Sequence, residues 1–161
     1  GMKLWIAALA LMSYTCCSYA LVIEGRVVAV TDGDTVRLLS VSNVEYKVRL
    51  SGIDAPEKAQ AFGLASKGNL SRLVFNKVVK AECPKTDRYR RQLCKLLLDG
   101  QDINLEQVVD GFAWHYTFYQ KDQEVDDRAK YSEAEAQARS LNKGLWHETL
   151  PVAPWVYRKL N

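Results

Sequence analysis

From Ile23 to Ile53 the chain offers three β-prone runs separated by nothing longer than a tight turn. Ile23 to Thr31, Thr35 to Val41 and Val44 to Ile53 are rich in β-branched residues, and Asp32-Gly33-Asp34 and Ser42-Asn43 join them. Consecutive strands with turns this short pair as an antiparallel meander. A meander brings the first turn beside the end of the third strand, so Asp34 and Asp54 are expected to lie close together.

The rest of the chain completes a recognisable order. Phe62, Leu70, Leu73 and Val74 share a face of a helix expected over Ala59 to Asn76. Val78 to Cys83 and Arg91 to Leu98 read as strands around a turn at Pro84-Lys85-Thr86-Asp87. Leu105, Val108, Val109 and Phe112 follow helical spacing, with Gly111 as a stop. A last helix is expected over Asp122 to Leu141, with Tyr131, Ala134 and Ala138 in its stripe. The tail from Pro151 to Asn161 has two prolines and no clear period. Three strands, helix, two strands, helix, helix is the order of an α+β OB-fold, a five-stranded β-barrel with three α-helices. With 161 residues there is room for one such domain. A 48% hydrophobic and 25% charged chain is not a disordered one. The net charge of +3 permits a polyanionic partner without demanding it.

Residues 1–20 read differently. Lys3 precedes the apolar run Leu4 to Met12, and small or polar residues lead to Ser18-Tyr19-Ala20. That is the layout of a secretory signal, too short to span a membrane as a helix. Cleavage is expected after Ala20, leaving 21–161 as a domain exported to the periplasm or the medium, with no lasting membrane association. Cys16 and Cys17 fall in this leader; Cys83 and Cys94 remain. In an exported chain these two suit either a disulfide between neighbouring strands or two buried thiols. No Cys-x-x-Cys and no paired histidine spacing points to zinc.

Three segments carry chemistry. Arg49-Leu50-Ser51-Gly52-Ile53-Asp54-Ala55-Pro56-Glu57 sets one cation and two carboxylates at a strand end. Asp32-Gly33-Asp34-Thr35 supplies carboxylates from the neighbouring turn. Clustered carboxylates with a backbone carbonyl and waters form a hard-oxygen site suited to calcium or magnesium. Asp87-Arg88-Tyr89-Arg90-Arg91 adds guanidinium groups, which match phosphate oxygens. Taken singly, each segment has an ordinary structural reading: a common turn, an ion pair between Arg49 and Glu57, a solvated charge run. His115 is expected to be packed or exposed, and Trp114 and Trp155 to pack.

Together, DGDT at 32–35, RLSGIDAPE at 49–57, DRYRR at 87–91 and GLW at 144–146 resemble the staphylococcal nuclease, or thermonuclease, family, in order and over nearly all of Val27 to Trp146. The resemblance implies an OB-fold nuclease that uses Ca2+ to hydrolyse DNA or RNA with low sequence specificity, leaving 3′-phosphorylated products. It implies metal-binding roles for Asp34, Asp54 and the backbone carbonyl of Ala55. Arg49 and Arg91 would grip the reacting phosphate, and Glu57 would orient or deprotonate the attacking water. Arg88, Tyr89 and Tyr119 would lie against the bound nucleotide. A monomer acting on nucleic acid is expected, the alternative being a non-catalytic OB-fold nucleic-acid-binding module. Arg90 departs from the family pattern, which has glycine there, and the loop before Asp87 is short.

Overall fold

The computed structural model describes residues 20–161. The leader reading concerns residues 1–20, all but Ala20 of which lie outside the described residues.

Strand β1 (Leu21–Asp32) is the spine of the barrel. Ile23, Gly25 and Val27 alternate inward, which is the period of a half-buried strand. It pairs antiparallel on one edge with β2 (Thr35–Ser40) and on the other with β5 (Val78–Thr86). Beyond β2 lies β3 (Glu45–Leu50), and beyond β5 lies β6 (Gln92–Leu98). The sheet closes where β6 runs parallel to β3, with Leu93 opposite Arg49 and Cys94 opposite Leu50. The five-stranded closed barrel expected from the sequence is therefore formed. Val27, Val36, Leu38, Val48, Leu50 and Leu96 fill it and are fully buried.

A short strand β4 (Ile53–Asp54) follows the barrel edge. Helix α1 (Gly63–Val74) starts four residues later than the sequence suggests. Gln60 Oε1 accepts from the Glu57 amide, and Phe62 turns left-handed at φ 65°, so the chain cannot be helical before Gly63. Ser66, Leu70 and Val74 are the buried positions, at helical spacing. Strand β5 runs on to Thr86, past the expected turn. A register shift between Glu82 and Lys85 absorbs Pro84, which has no amide hydrogen for the ladder. Cys83 and Cys94 form a disulfide across β5 and β6.

Strand β7 (Gln101–Asp102) leads into α2 (Ile103–Val109), capped where Asp102 accepts from the Leu105 amide at 3.0 Å. Strand β8 (Trp114–His115) pairs with β4, setting Trp114 opposite Asp54. A 3₁₀ segment, Thr117–Asp122, ends where the expected last helix begins, and α3 runs over Val125–Ser140, starting three residues later than expected. The three expected helices are joined by a fourth, α4 (Pro154–Leu160), in the tail where no period was visible. Among the described residues no helix is long and apolar enough to cross a membrane.

Candidate active site

The turn between β1 and β2 is held from below. A Cβ added at Gly33 would overlap the Ser66 hydroxyl and come within 2.8 Å of the Ala55 Cβ, so only glycine allows the turn to lie this close to α1. The Gly33 carbonyl accepts from Gln107 Nε2 at 2.7 Å, a fully buried amide on α2. Ser66 in turn donates to the Phe112 carbonyl at 2.6 Å. Asn104, also fully buried, donates to the carbonyls of Ser51 and Cys94 and so ties the end of β3 to β6. Sequence reasoning missed these three polar residues, because a lone buried amide or hydroxyl leaves no pattern in the chain.

On this base Asp34 and Asp54 converge, as the meander implies. Asp54 is 1% exposed and Asp34 6%. Arg49 stands between them, its Nη2 3.3 Å from both an Asp34 and an Asp54 oxygen. Its Nη1 donates to the carbonyls of Leu50 and Ile53, at 2.5 and 2.9 Å. Nε–H of Arg49 has no protein partner among the described residues. Asp34 Oδ2 also accepts from the Ala55 amide, and Oδ1 from the Thr35 hydroxyl, both at 2.9 Å. The structure thus ties Ala55 to Asp34 through its amide.

Burial raises a carboxyl's pKa and nearby cations lower it, and the two aspartates fall on opposite sides of that balance. At Asp34 burial is outweighed by Arg49 and by the donated bonds, and the carboxyl stays below its usual range. At Asp54 burial wins over the arginines and the carboxyl is raised. Asp32, at the same turn, is pushed up to about 7 by burial and by the Asp34 charge.

Glu57 sits at the rim, its side chain 37% exposed, and is joined to Asp54 by a residue from the far end of the chain. Arg158 on α4 gives Nη2 to Asp54 Oδ2 at 2.8 Å and Nη1 to Asp54 Oδ1 at 3.1 Å. The same Nη1 reaches Glu57 Oε1 at 2.7 Å. Bonding to Asp54 first, and to Glu57 after it, holds the guanidinium even more firmly charged than usual. Nothing in the sequence singled out Arg158. The signal available was Trp155 one helical turn before it: Trp155 stacks on Tyr116 with centroids 5.5 Å apart and planes at 16°, and meets Trp114 edge-on at 5.4 Å.

The arginine hairpin is built separately. Asp87 Oδ1 accepts from the amides of Tyr89 and Arg91, and Oδ2 from Arg91 Nε at 2.8 Å. Arg90 closes the three-residue loop with φ 61°, the left-handed conformation that glycine adopts freely and explains the family pattern. Arg91 lies two residues before Leu93, the register partner of Arg49, so the hairpin rises from the strand next to the acid pair. No protein bond holds its two Nη groups among the described residues. Arg88 and Arg91 both lie over the Tyr89 ring, at 4.9 and 5.5 Å, and Tyr89 is 60% exposed. Tyr119 is 58% exposed and packs edge-on against Tyr116 at 4.9 Å. His115 is buried, its Nε2 2.8 Å from Gln123 Oε1, and plays the packing role expected of it.

Among the described residues no three His, Cys, Asp or Glu side chains converge to hold a metal ion by themselves. The donor set nevertheless fits a hard cation. Two buried carboxylates share one pocket with Glu57 at its rim, and the Arg158 guanidinium already lies on Asp54 and Glu57 oxygens as a stand-in positive group. Such a set needs a backbone carbonyl and water to complete an ion's shell.

Residues 47–148 match the profile of a family described as staphylococcal nuclease homologues. A Haemophilus influenzae protein described as an uncharacterized endonuclease is 42% identical over 134 residues, 83% of this chain and 72% of that protein. The micrococcal nuclease of Shigella flexneri is 35% identical over 145 residues, 84% of this chain and 80% of its own length. A staphylococcal-like nuclease of Arabidopsis thaliana is 33% identical over 128 residues, 76% of this chain but 38% of that longer protein.

Proposed function

Because the chain belongs to the staphylococcal nuclease family and is a nuclease, we propose that it is a calcium-dependent phosphodiesterase that cuts DNA or RNA with little regard for sequence. The observation that carries this reading is the buried pair Asp34 and Asp54, drawn from the β1–β2 turn and from β4 and bridged by Arg49. These carboxylates, with the Ala55 carbonyl, would hold Ca2+. When bound, that ion would supply charge to polarise a phosphoryl oxygen.

The chain's own residues do the rest. Glu57 is exposed enough to meet solvent, and its free carboxylate oxygen holds a water for attack on phosphorus and accepts its proton. Arg49 keeps the two aspartates at fixed separation, and its Nε–H is the donor left for a phosphate oxygen. Arg91 brings two Nη groups from the hairpin to the phosphate as negative charge grows on it. Arg88, Tyr89 and Tyr119 offer exposed guanidinium and ring faces to the nucleotide. The backbone is common to all sequences, so gripping it discriminates little. Following the family, the cut would leave the phosphate on the 3′ side. Export through residues 1–20 belongs to the same proposal, and the Cys83–Cys94 disulfide supports it, since such bonds persist in oxidising compartments.

Incubating the protein with single-stranded DNA, with calcium or with chelator, tests the reading. Fragments that appear only with calcium and carry 3′-phosphates are expected. Retarded but intact DNA under both conditions would instead establish a binding module.

A further inference from the structure

We propose that Arg158 is an internal counter-cation that competes with the divalent ion for Asp54 and Glu57, and so sets the metal concentration at which the site loads. The inference rests on the calcium reading above and adds to it a residue outside the four sequence motifs.

The contact is a built one. Arg158 is 104 residues from Asp54 in the chain, yet its fork meets both Asp54 oxygens, and Nη1 extends to Glu57. The partner carboxylate is 1% exposed and Arg158 40%, so the pair is shielded from solvent on its acid side only. Helix α4 has other contacts that hold it in place. Trp155 is packed among Tyr116, Trp114 and Phe118, and Gln60 Nε2 donates to the Val152 carbonyl at 2.6 Å. Docking and neutralisation are thus separate functions of one short segment. The aromatic anchor holds the helix, and the arginine reaches from it into the acid pocket.

Competition follows from valence and charge. Arg158 takes a bond on each oxygen of Asp54, and Arg49 already takes a second on Oδ1. A carboxylate oxygen engaged in this way has its lone pairs directed at nitrogen. A metal ion drawing on them must displace at least part of the fork, and two cations on one carboxylate repel. With the helix held by Trp155, the displaced group is the side chain rather than the segment. Arg158 also neutralises Asp54 before an ion arrives, which lowers the gain on binding one.

Calorimetric titration of Ca2+ into the full chain, and into its Arg158→Gln and Arg158→Lys variants, tests this without any nucleic acid. Loss of a charge-assisted pair of this kind should tighten calcium binding by about tenfold in the glutamine variant. The lysine variant, charged but without the fork, should fall between. Equal affinities in the glutamine variant and the parent, or weaker binding in the variant, overturn the competition while leaving the calcium site standing. Absence of calcium binding in all three overturns the calcium reading and this inference with it.

Discussion

The acid pocket and the arginine hairpin, to which the proposed function gives parts in one reaction, are made in opposite ways. Asp34 and Asp54 are buried and Arg49 is largely enclosed, and their partners come from β2, β3, β4 and, through Arg158, the last helix. The hairpin is exposed and self-contained, with Asp87 holding the amides and the guanidinium of its own loop. The pocket's geometry is set by the whole barrel; the hairpin's is set within five residues. A site that confines an ion needs the first kind of support, because buried carboxylates repel unless fixed against cations. A group that closes on a substrate is served by the second, where an arginine can change partners at little cost.

Removing one arginine from each region breaks the comparison most visibly. Arg49→Gln leaves buried Asp34 without its cation, while Asp54 keeps Arg158, and should destabilise the fold by about 3–5 kcal/mol. Arg91→Gln removes a partly exposed pair and should change stability by less than about 1 kcal/mol. Urea unfolding of both variants measures the difference; similar losses would show that the two regions are not supported differently.

A smaller effect is expected at Arg90. Its left-handed backbone strains an L-residue, so Arg90→Gly should stabilise the hairpin by about 0.5–1 kcal/mol, the relief being partly offset by glycine's greater freedom when unfolded. Thermal melting of the variant shows whether the turn or the side chain matters more: a lower melting point would mean that the arginine makes contacts worth more than the strain.

The smallest effect lies with Asp87. Burial would raise its carboxyl, but bonds from Arg91 and Tyr89 and the Arg91 charge outweigh this and hold it below the usual range. A depressed folded-state value means that the stabilisation is fully present above about pH 4 and is lost as pH falls through that lower value. Melts of the parent and Asp87→Asn over falling pH should therefore converge at the acid end. A gap that persists there would place the stabilisation in something other than the ionised carboxyl.

Much of this was legible in the chain. The barrel was, because β-branched runs are joined by turns too short for any other pairing of the first three strands, and the order of the later elements completes it. The pairing of Asp34 with Asp54 followed from that topology, and Arg90 was visible as a departure before its left-handed φ explained it. Boundaries were less so. The Gln60 bond and the turn of Phe62 delay α1, and a bulge lets β5 continue through Pro84. Helix α4 and Arg158 were illegible for a further reason. Seven residues carry too few apolar positions to show a period, and Trp155 has meaning only against Tyr116, whose place is fixed by the fold. Gln107, Ser66 and Asn104 act through buried hydrogen bonds to distant backbone carbonyls, which no spacing announces.

The central claim is that the buried carboxylates are where the chemistry is organised. The direct measurement is the rate at which Asp34→Asn fragments a labelled single-stranded oligonucleotide in calcium, at a temperature where circular dichroism shows parent and variant equally folded. A loss of about a hundredfold to a thousandfold is expected, in line with removing a preorganised electrostatic group. Activity within a few-fold of the parent would contradict the account.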